Sequence, residues 1–284
     1  MVFLFRLLAR LPLWLVHHLG ALAGWVTYLL SPTYRRHLRE NARQAGLDDR
    51  VRRAAVAETG KLALELPTIW LHPSAGAASR VVQVSGWAHV EAAIAAGKGI
   101  VFLTPHLGCF EISAQYFAAQ APITVLYRQP KQAVLQEIIE FGRQRANVHL
   151  APADVSGVRS LIRALKRGEA VGLLPDQAPK AGEGVWLDYF GKPAYTMTLA
   201  ARLTETGATT IFAWAERLPG GRGYHLRVRL PLHELTGDTV HRAAQINAEI
   251  ESLIRECPAQ YLWGYNRYKR PGGVEAPPAQ GGRE

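Results

Sequence analysis

Short apolar runs rich in β-branched and aromatic residues alternate along this chain with stretches of helical periodicity. That alternation limits the fold more than any other feature. The strand-like runs fall at 81–84, 100–103, 123–127, 171–174 and 210–215. Between them, 89–96, 111–118, 134–145, 157–166 and 198–206 read as helices. Strand–helix alternation predicts an α/β fold, with a mostly parallel central sheet flanked by helices. Residues 224–230 alternate Tyr224, Leu226, Val228 and Leu230 with His225, Arg227 and Arg229, which suits a half-exposed edge strand. A helix over 240–257 places Ile246, Ile250, Leu253 and Ile254 on one face, for packing against the core. A basic, helix-like stretch over 34–71 carries Leu62, Leu66 and Ile69 at helical spacing. With 284 residues and 48% hydrophobic content, one large core suffices, and residues 32–271 are expected to form one domain. Residues 272–284 are rich in Pro and Gly and are expected to be a disordered tail.

The N-terminus has a different character. Positions 11–30 contain no Asp, Glu, Lys or Arg, and a helix of that length, at about 1.5 Å per residue, spans about 30 Å. Trp14, Trp25 and Tyr28 suit a membrane interface. Pro12, Gly20, Gly24 and the pair His17-His18 weigh against a deep span, so crossing the bilayer and lying in its surface both stay open. Ala21-Leu22-Ala23 mimics a signal-peptidase site, but apolar sequence continues to Leu30, and an N-terminal membrane-anchoring helix over 1–31 is the preferred reading. Arg6 and Arg10 on one side and Arg35, Arg36 and Arg39 on the other favour a cytoplasmic main body. Lys and Arg outnumber Asp and Glu by 33 to 23, a net charge of +10. That favours anionic partners: nucleic acid, anionic lipid head groups or an acidic protein. Two cysteines, Cys109 and Cys257, make no disulfide framework and suit a reducing compartment.

Where the run 100–103 ends, the chain reads Thr104-Pro105-His106-Leu107-Gly108-Cys109-Phe110-Glu111. On one continuous helix, His106 and Glu111 would sit on different faces. They can meet if His106 lies in the loop and Glu111 in the first turn of the next helix, a turn that Pro105 and Gly108 permit. The pair would then be a general base and its orienting carboxylate, placed where open parallel sheets hold their sites. His149…Asp154 and His233…Asp238 have the same spacing. Neither follows a strand and precedes a helix, so both are read as structural. Cys109 is read as a small spacer rather than a nucleophile.

Two further strand ends carry functional groups. The run 123–127 leads to Arg128 and Lys131, a clamp for phosphate or another anion. The run 171–174 leads to Pro175-Asp176-Gln177, where Asp176 offers an orienting or hydrogen-bonding carboxylate. Neighbouring parallel strands lie less than about 5 Å apart, so the three tips can share a cleft. There is no GxxxxGK[ST], GxGxxG after a strand, GxSxG, CxxC or HExxH. Nucleotide hydrolysis, dinucleotide redox, ordinary serine hydrolysis and zinc chemistry therefore lack support. Residues 261–270, Tyr-Leu-Trp-Gly-Tyr-Asn-Arg-Tyr-Lys-Arg, interleave aromatics with cations, a pattern that suits single-stranded nucleic acid or a lipid interface. The apolar N-terminus tips the reading to lipid, with no nucleic acid partner.

Taken in order, these motifs resemble the bacterial lipid A late acyltransferases (lauroyl/myristoyl type), within the His-x4-Asp/Glu glycerolipid-type acyltransferases. The resemblance rests on His106 to Glu111, on Tyr127-Arg128-Gln129-Pro130-Lys131, and on Asp176-Gln177 followed by Phe190-Gly191-Lys192-Pro193-Ala194-Tyr195-Thr196. Tyr261-Leu262-Trp263 and Arg267-Tyr268-Lys269 complete it, while Tyr265 and Asn266 stand where that family usually has His and Arg. What the resemblance implies is direct acyl transfer from an acyl carrier protein thioester to a hydroxyl of a lipid A precursor, at the cytoplasmic face of the inner membrane. His106 would be the base and Glu111 its partner; Arg128, Lys131, Asp176, Gln177 and Arg267 would bind substrate. Neither a metal nor an organic cofactor is called for. Another acceptor, such as a lysophospholipid or an amino-acid-derived lipid, and a non-catalytic lipid-binding membrane protein are the competing readings.

Overall fold

The computed structural model describes residues 2–71, 77–129, 136, 142 and 147–278. Four helices come first: α1 (Val2–Arg10), α2 (Leu13–Leu30), α3 (Pro32–Gln44) and α4 (Asp49–Leu71). The α/β body follows with β1 (Val81–Ser85), α5 (Trp87–Ala96), β2 (Ile100–Leu103), α6 (Phe110–Ala118), β3 (Ile123–Tyr127) and β4 (Val148–Pro152). It continues through α7 (Val155–Lys166), β5 (Ala170–Leu173), β6 (Gly184–Tyr189), β7 (Lys192–Met197) and α8 (Leu199–Thr204). Strands β8 (Thr209–Arg217) and β9 (Tyr224–Arg229) and the helix α9 (Thr239–Glu256) complete it. The helix expected over 134–145 lies outside the described residues, apart from Gln136 and Gly142 in helical conformation.

Seven strands form one sheet in the order β1-β9-β8-β2-β5-β3-β4, and every neighbouring pair is parallel except β8 with β9. The central strands β2 and β5 are buried at every position, which explains their unbroken apolar sequence: helices cover both faces. Period-two alternation divides each strand between two cores. Val101, Leu103, Phe212 and Trp214 pack with α7, α8 and α9 on one face; Ile100, Phe102, Ile211 and Ala213 pack with α4, α5 and α6 on the other.

Two expectations are corrected. Strand β9 is not an edge strand: β1 pairs beside it, and His225 is buried with its Nε2 2.7 Å from Ser85 Oγ. Its alternating cations are accommodated because Arg227 pairs with Glu216 and Arg229 with Glu249. The aromatic–cationic segment 261–270 does not lie wholly at the surface either. Tyr261, Trp263 and Arg267 are buried, and Tyr268 donates its hydroxyl to the Tyr189 carbonyl at 2.9 Å. The antiparallel hairpin of β6 and β7 went unread in the sequence because it turns on Phe190, which has φ 50°, a conformation rare for a bulky side chain. Contacts impose it: the Phe190 amide donates to Glu251, its carbonyl accepts from Gln44, and its ring packs on Trp263. Residues 272–278 carry no regular element, and the Glu275 carbonyl accepts the Trp186 indole N–H.

A buried ionic cluster ties the N-terminal helices to the sheet. Arg217 of β8 reaches Glu65 of α4 through two nitrogens at 2.8 and 2.6 Å, and Glu58 through a third at 2.7 Å. Tyr224 donates to Glu65 at 2.9 Å, and His17 Nε2 lies 3.2 Å from the same carboxylate. Burial alone would raise the Glu65 pKa; Arg217 and His17 overcome it and bring it down to about 2.

Candidate active site

Strands β2 and β5 pair in parallel with Leu103 opposite Leu173. Three residues past each of these stand His106 and Asp176, so the register carries both to one place. The Asp176 carboxylate accepts from the His106 backbone N–H at 3.0 Å, and its other oxygen lies 2.8 Å from His106 Nδ1. Asp176 is 1% exposed. Burial pushes its carboxyl up, but the imidazole and the two His106 contacts prevail and hold it below the ordinary carboxylate value. An ionised carboxylate only accepts, so Nδ1 carries the proton and the lone pair is on Nε2. That nitrogen lies 3.1 Å from Gln177 Nε2, an amide donor to its lone pair.

The loop after β2 is clamped on both sides. The Leu262 amide donates to the His106 carbonyl, Gly108 N–H to the Gln260 carbonyl, and Cys109 N–H to the Ala215 carbonyl. Gly108 has φ 60°, and a Cβ there would collide with the Ala215 carbonyl oxygen. Gly108→Ala is therefore expected to cost more than about 2 kcal/mol of stability and to displace His106, with activity falling alongside it. Chemical denaturation and initial rates on the same preparation check this; a stable, fully active Gly108→Ala protein would show that the loop tolerates another path. Cys109 is fully buried, and burial first, then the nearby Glu65, pushes its thiol well above the usual value. A neutral, enclosed thiol suits a spacer and not an attacking group.

The remaining expected residues fall into distinct places. Glu111 lies in the first turn of α6, as its spacing requires, buried, with the Trp70 indole N–H donating to it at 3.1 Å. The carboxylate bonded to the imidazole is not Glu111 but Asp176, the one expected at a neighbouring strand end as an orienting or hydrogen-bonding group. Arg128 is exposed just past the end of β3, and Lys131 lies outside the described residues. Arg267 is 2% exposed, donates to the Tyr195 carbonyl and Thr196 Oγ1 at 2.8 Å each, and stacks over the Tyr189 ring. Its guanidinium thus serves the interior wall beneath the site rather than an open surface. Tyr265, which stands where the family motif usually has His, has a structural role. Its hydroxyl accepts the Ala178 N–H at 3.0 Å and so braces the Asp176–Gln177 turn.

The His106 ring packs on Phe110 at 4.8 Å between centroids, and Phe110 borders an apolar cleft that runs between the sheet and α6, with about 790 Å³ of space including its open mouth. Phe102, Phe110, Phe117, Val125, Leu150 and Val228 line it, and Glu111 and Thr104 mark its polar points. Ser113 Oγ and Gln115 Nε2 also border the cleft, buried and without a hydrogen-bond partner among the described residues. Among the described residues, no group of three or more His, Cys, Asp or Glu side chains is placed to hold a metal ion.

A histidine held by a buried carboxylate, at the strand tips of a parallel sheet and near an apolar cleft, is an arrangement suited to moving a proton next to an alkyl chain. The chain belongs to the bacterial lipid A biosynthesis acyltransferase family, whose model matches residues 1–270. It is an acyltransferase. It is 30% identical to the lipid A biosynthesis lauroyltransferase of Escherichia coli K12 over 217 residues, which are 74% of this chain and 69% of that one. It is 27% identical to the palmitoleoyltransferase of the same organism over 242 residues, 82% of this chain and 72% of the relative. A phosphatidylinositol mannoside acyltransferase of Mycobacterium tuberculosis is 28% identical over 204 residues, covering 69% of this chain and 62% of that protein.

Proposed function

We propose that the protein transfers a fatty acyl group from an acyl carrier protein thioester to a hydroxyl of a lipid A precursor, at the cytoplasmic face of the inner membrane. The observation that carries this reading is the His106 imidazole, fixed by Asp176 on Nδ1 and packed on the ring of Phe110, which lines the apolar cleft. The acceptor hydroxyl takes the place of the Gln177 amide at Nε2 and gives up its proton there. The oxygen attacks the thioester carbonyl carbon, the C–S bond breaks, and the imidazolium returns the proton to the departing sulfur. The displaced Gln177 amide donates to the developing oxyanion, and Arg128 with Lys131 suits a phosphate of the acceptor. The alkyl chain lies in the cleft, where each buried methylene contributes about 0.8 kcal/mol. Arg267 contributes by holding the wall of Tyr189, Tyr195 and Thr196. An acidic carrier protein and anionic lipid both suit the net charge of +10.

A second acceptor class has a specific observation behind it: the mycobacterial relative is named for a phosphatidylinositol mannoside. Incubation of the purified chain with acyl carrier protein loaded with a twelve- to sixteen-carbon chain, and with each acceptor in turn, separates the two by mass spectrometry. A gain of one acyl chain on the lipid A precursor alone supports the first reading, and a gain on the mannoside alone moves the acceptor to the second. Use of acyl coenzyme A with no use of the carrier-protein thioester would remove the donor assignment.

A further inference from the structure

Helix α2 has the length and composition of a bilayer span, yet one of its faces is already occupied. Leu13, Val16, His17, Gly20, Gly24 and Tyr28 are buried and recur at helical spacing along one stripe. Gly20 and Gly24 meet Gly60 of α4 backbone to backbone, so closely that a Cβ on any of the three would strike the opposing helix. His17 joins the Glu65–Arg217 cluster, and Gly221, between β8 and β9, seats against the Trp14 backbone. A helix fixed in this way along its length and at its start cannot leave the body to cross a bilayer without exposing the Glu65 carboxylate.

The opposite face is bare. Trp14, Leu19, Leu22, Trp25, Val26, Leu29 and Leu30 are exposed on it, Leu22, Leu29 and Leu30 by 63%, 65% and 77%. Arg6 and Arg10 stand exposed before the stripe, and Arg36 and Arg39 just after it. Arg35 is held at that end by donating to the Tyr28 and Leu29 carbonyls, and Arg39 by donating to the Tyr28 hydroxyl. The first acidic residue of the chain is Glu40. An apolar strip closed at both ends by arginines matches an anionic lipid surface. A second copy is a poorer occupant: two-fold pairing of the strip would bring arginines against arginines.

We infer that α2 lies in the plane of an anionic lipid surface, its outer face sunk to the boundary between head groups and acyl chains, and does not cross the membrane. This deepens the membrane placement proposed above and is independent of the acyl-transfer chemistry. The test uses the purified full chain reconstituted into vesicles of phosphatidylethanolamine and phosphatidylglycerol. Trp14→Cys, Leu22→Cys and Leu30→Cys carry an environment-sensitive fluorophore one at a time, the buried Cys109 and Cys257 being left in place. Depth is read with lipids bearing nitroxides at graded positions on the acyl chain. The expected result is one shallow depth of about 5–10 Å for all three labels. The double variant Leu22→Glu/Leu29→Glu should lose at least tenfold in vesicle binding with an unchanged thermal midpoint, since both positions are exposed. A label at position 22 near the bilayer centre, with 14 and 30 shallow, would overturn the in-plane seat and leave membrane attachment standing. Absence of binding to these vesicles would overturn both, and a lipid-free dimer that shields all three labels would make a second copy the occupant. Acyl transfer to a detergent-dispersed acceptor is assayed in parallel, so failure of the enzyme reading is seen separately.

Discussion

Asp176→Asn is expected to lower kcat/KM for acyl transfer by on the order of 10²–10⁴-fold, as much as His106→Ala. The argument is one of proton placement. The ionised Asp176 side chain accepts only, so it fixes the proton on Nδ1 and leaves Nε2 free to act as the base. An asparagine amide can donate instead, which favours the tautomer with its proton on Nε2, where a base is needed. The two variants differ in stability. His106→Ala strips the partner from a carboxylate that is 1% exposed, and an unpaired buried charge costs stability. Asp176→Asn removes the charge with its volume kept, so its fold should hold while its rate collapses. Since the carboxyl is held below its ordinary value, its charge in the wild type persists through the neutral range. Its stabilisation is present above the ordinary carboxylate pKa and is lost as pH falls through the depressed one. Rate–pH profiles of both proteins, with thermal midpoints alongside, check the assignment. An Asp176→Asn enzyme within a fewfold of wild type would sink it, and Glu111 would then be the partner to examine.

The strands and His106 were legible because their signals are local. The runs at 100–103 and 123–127 are bounded by Gly, Pro and polar residues, and the structure places β2 and β3 there. His106 stood out because it follows a strand and precedes a helix. The partner of His106 was not legible in the same way. Asp176 reaches it through the pairing of Leu103 with Leu173, a long-range register that no local spacing encodes. Glu111, five residues away, was the natural local candidate for that role. The segment at 261–270 misled for a related reason. Alternating aromatics and cations look the same on a lipid-facing surface and in an interior that supplies acceptors, and Arg267 finds Tyr195 and Thr196. The length and polarity of α2 were also legible, but which of its faces was spoken for depends on Gly60, far along the chain.

Arg217→Met is expected to destabilise the protein by about 3–5 kcal/mol, the range for removing one partner of a buried ion pair. In a chain of this size that corresponds to a thermal midpoint lower by roughly 6–20 °C. Arg217 makes two bonds to Glu65, which is fully buried, and one to Glu58. Methionine replaces the volume of the stem and leaves the Glu65 charge without its arginine, beside His17 and Tyr224. The pH dependence separates this account from simple loss of packing. Burial favours the protonated form of Glu65, yet Arg217 prevails, and its pKa falls from 4.5 to about 2. A folded-state pKa depressed this far contributes about 3 kcal/mol, fully present above the unfolded value near 4.5 and lost as pH drops toward 2. In Arg217→Met that contribution is gone, so the variant should lose less further stability across the same window. The gap between the two proteins should therefore narrow on acidification. Adding Glu65→Gln to Arg217→Met should recover part of the loss at neutral pH, since no charge is then stranded beside the arginine's former site. Urea unfolding of the wild type, both single variants and the double variant at pH 7 and pH 3.5 measures all of these. A gap that stays constant with pH would show that the guanidinium acts by packing and not by holding the Glu65 charge.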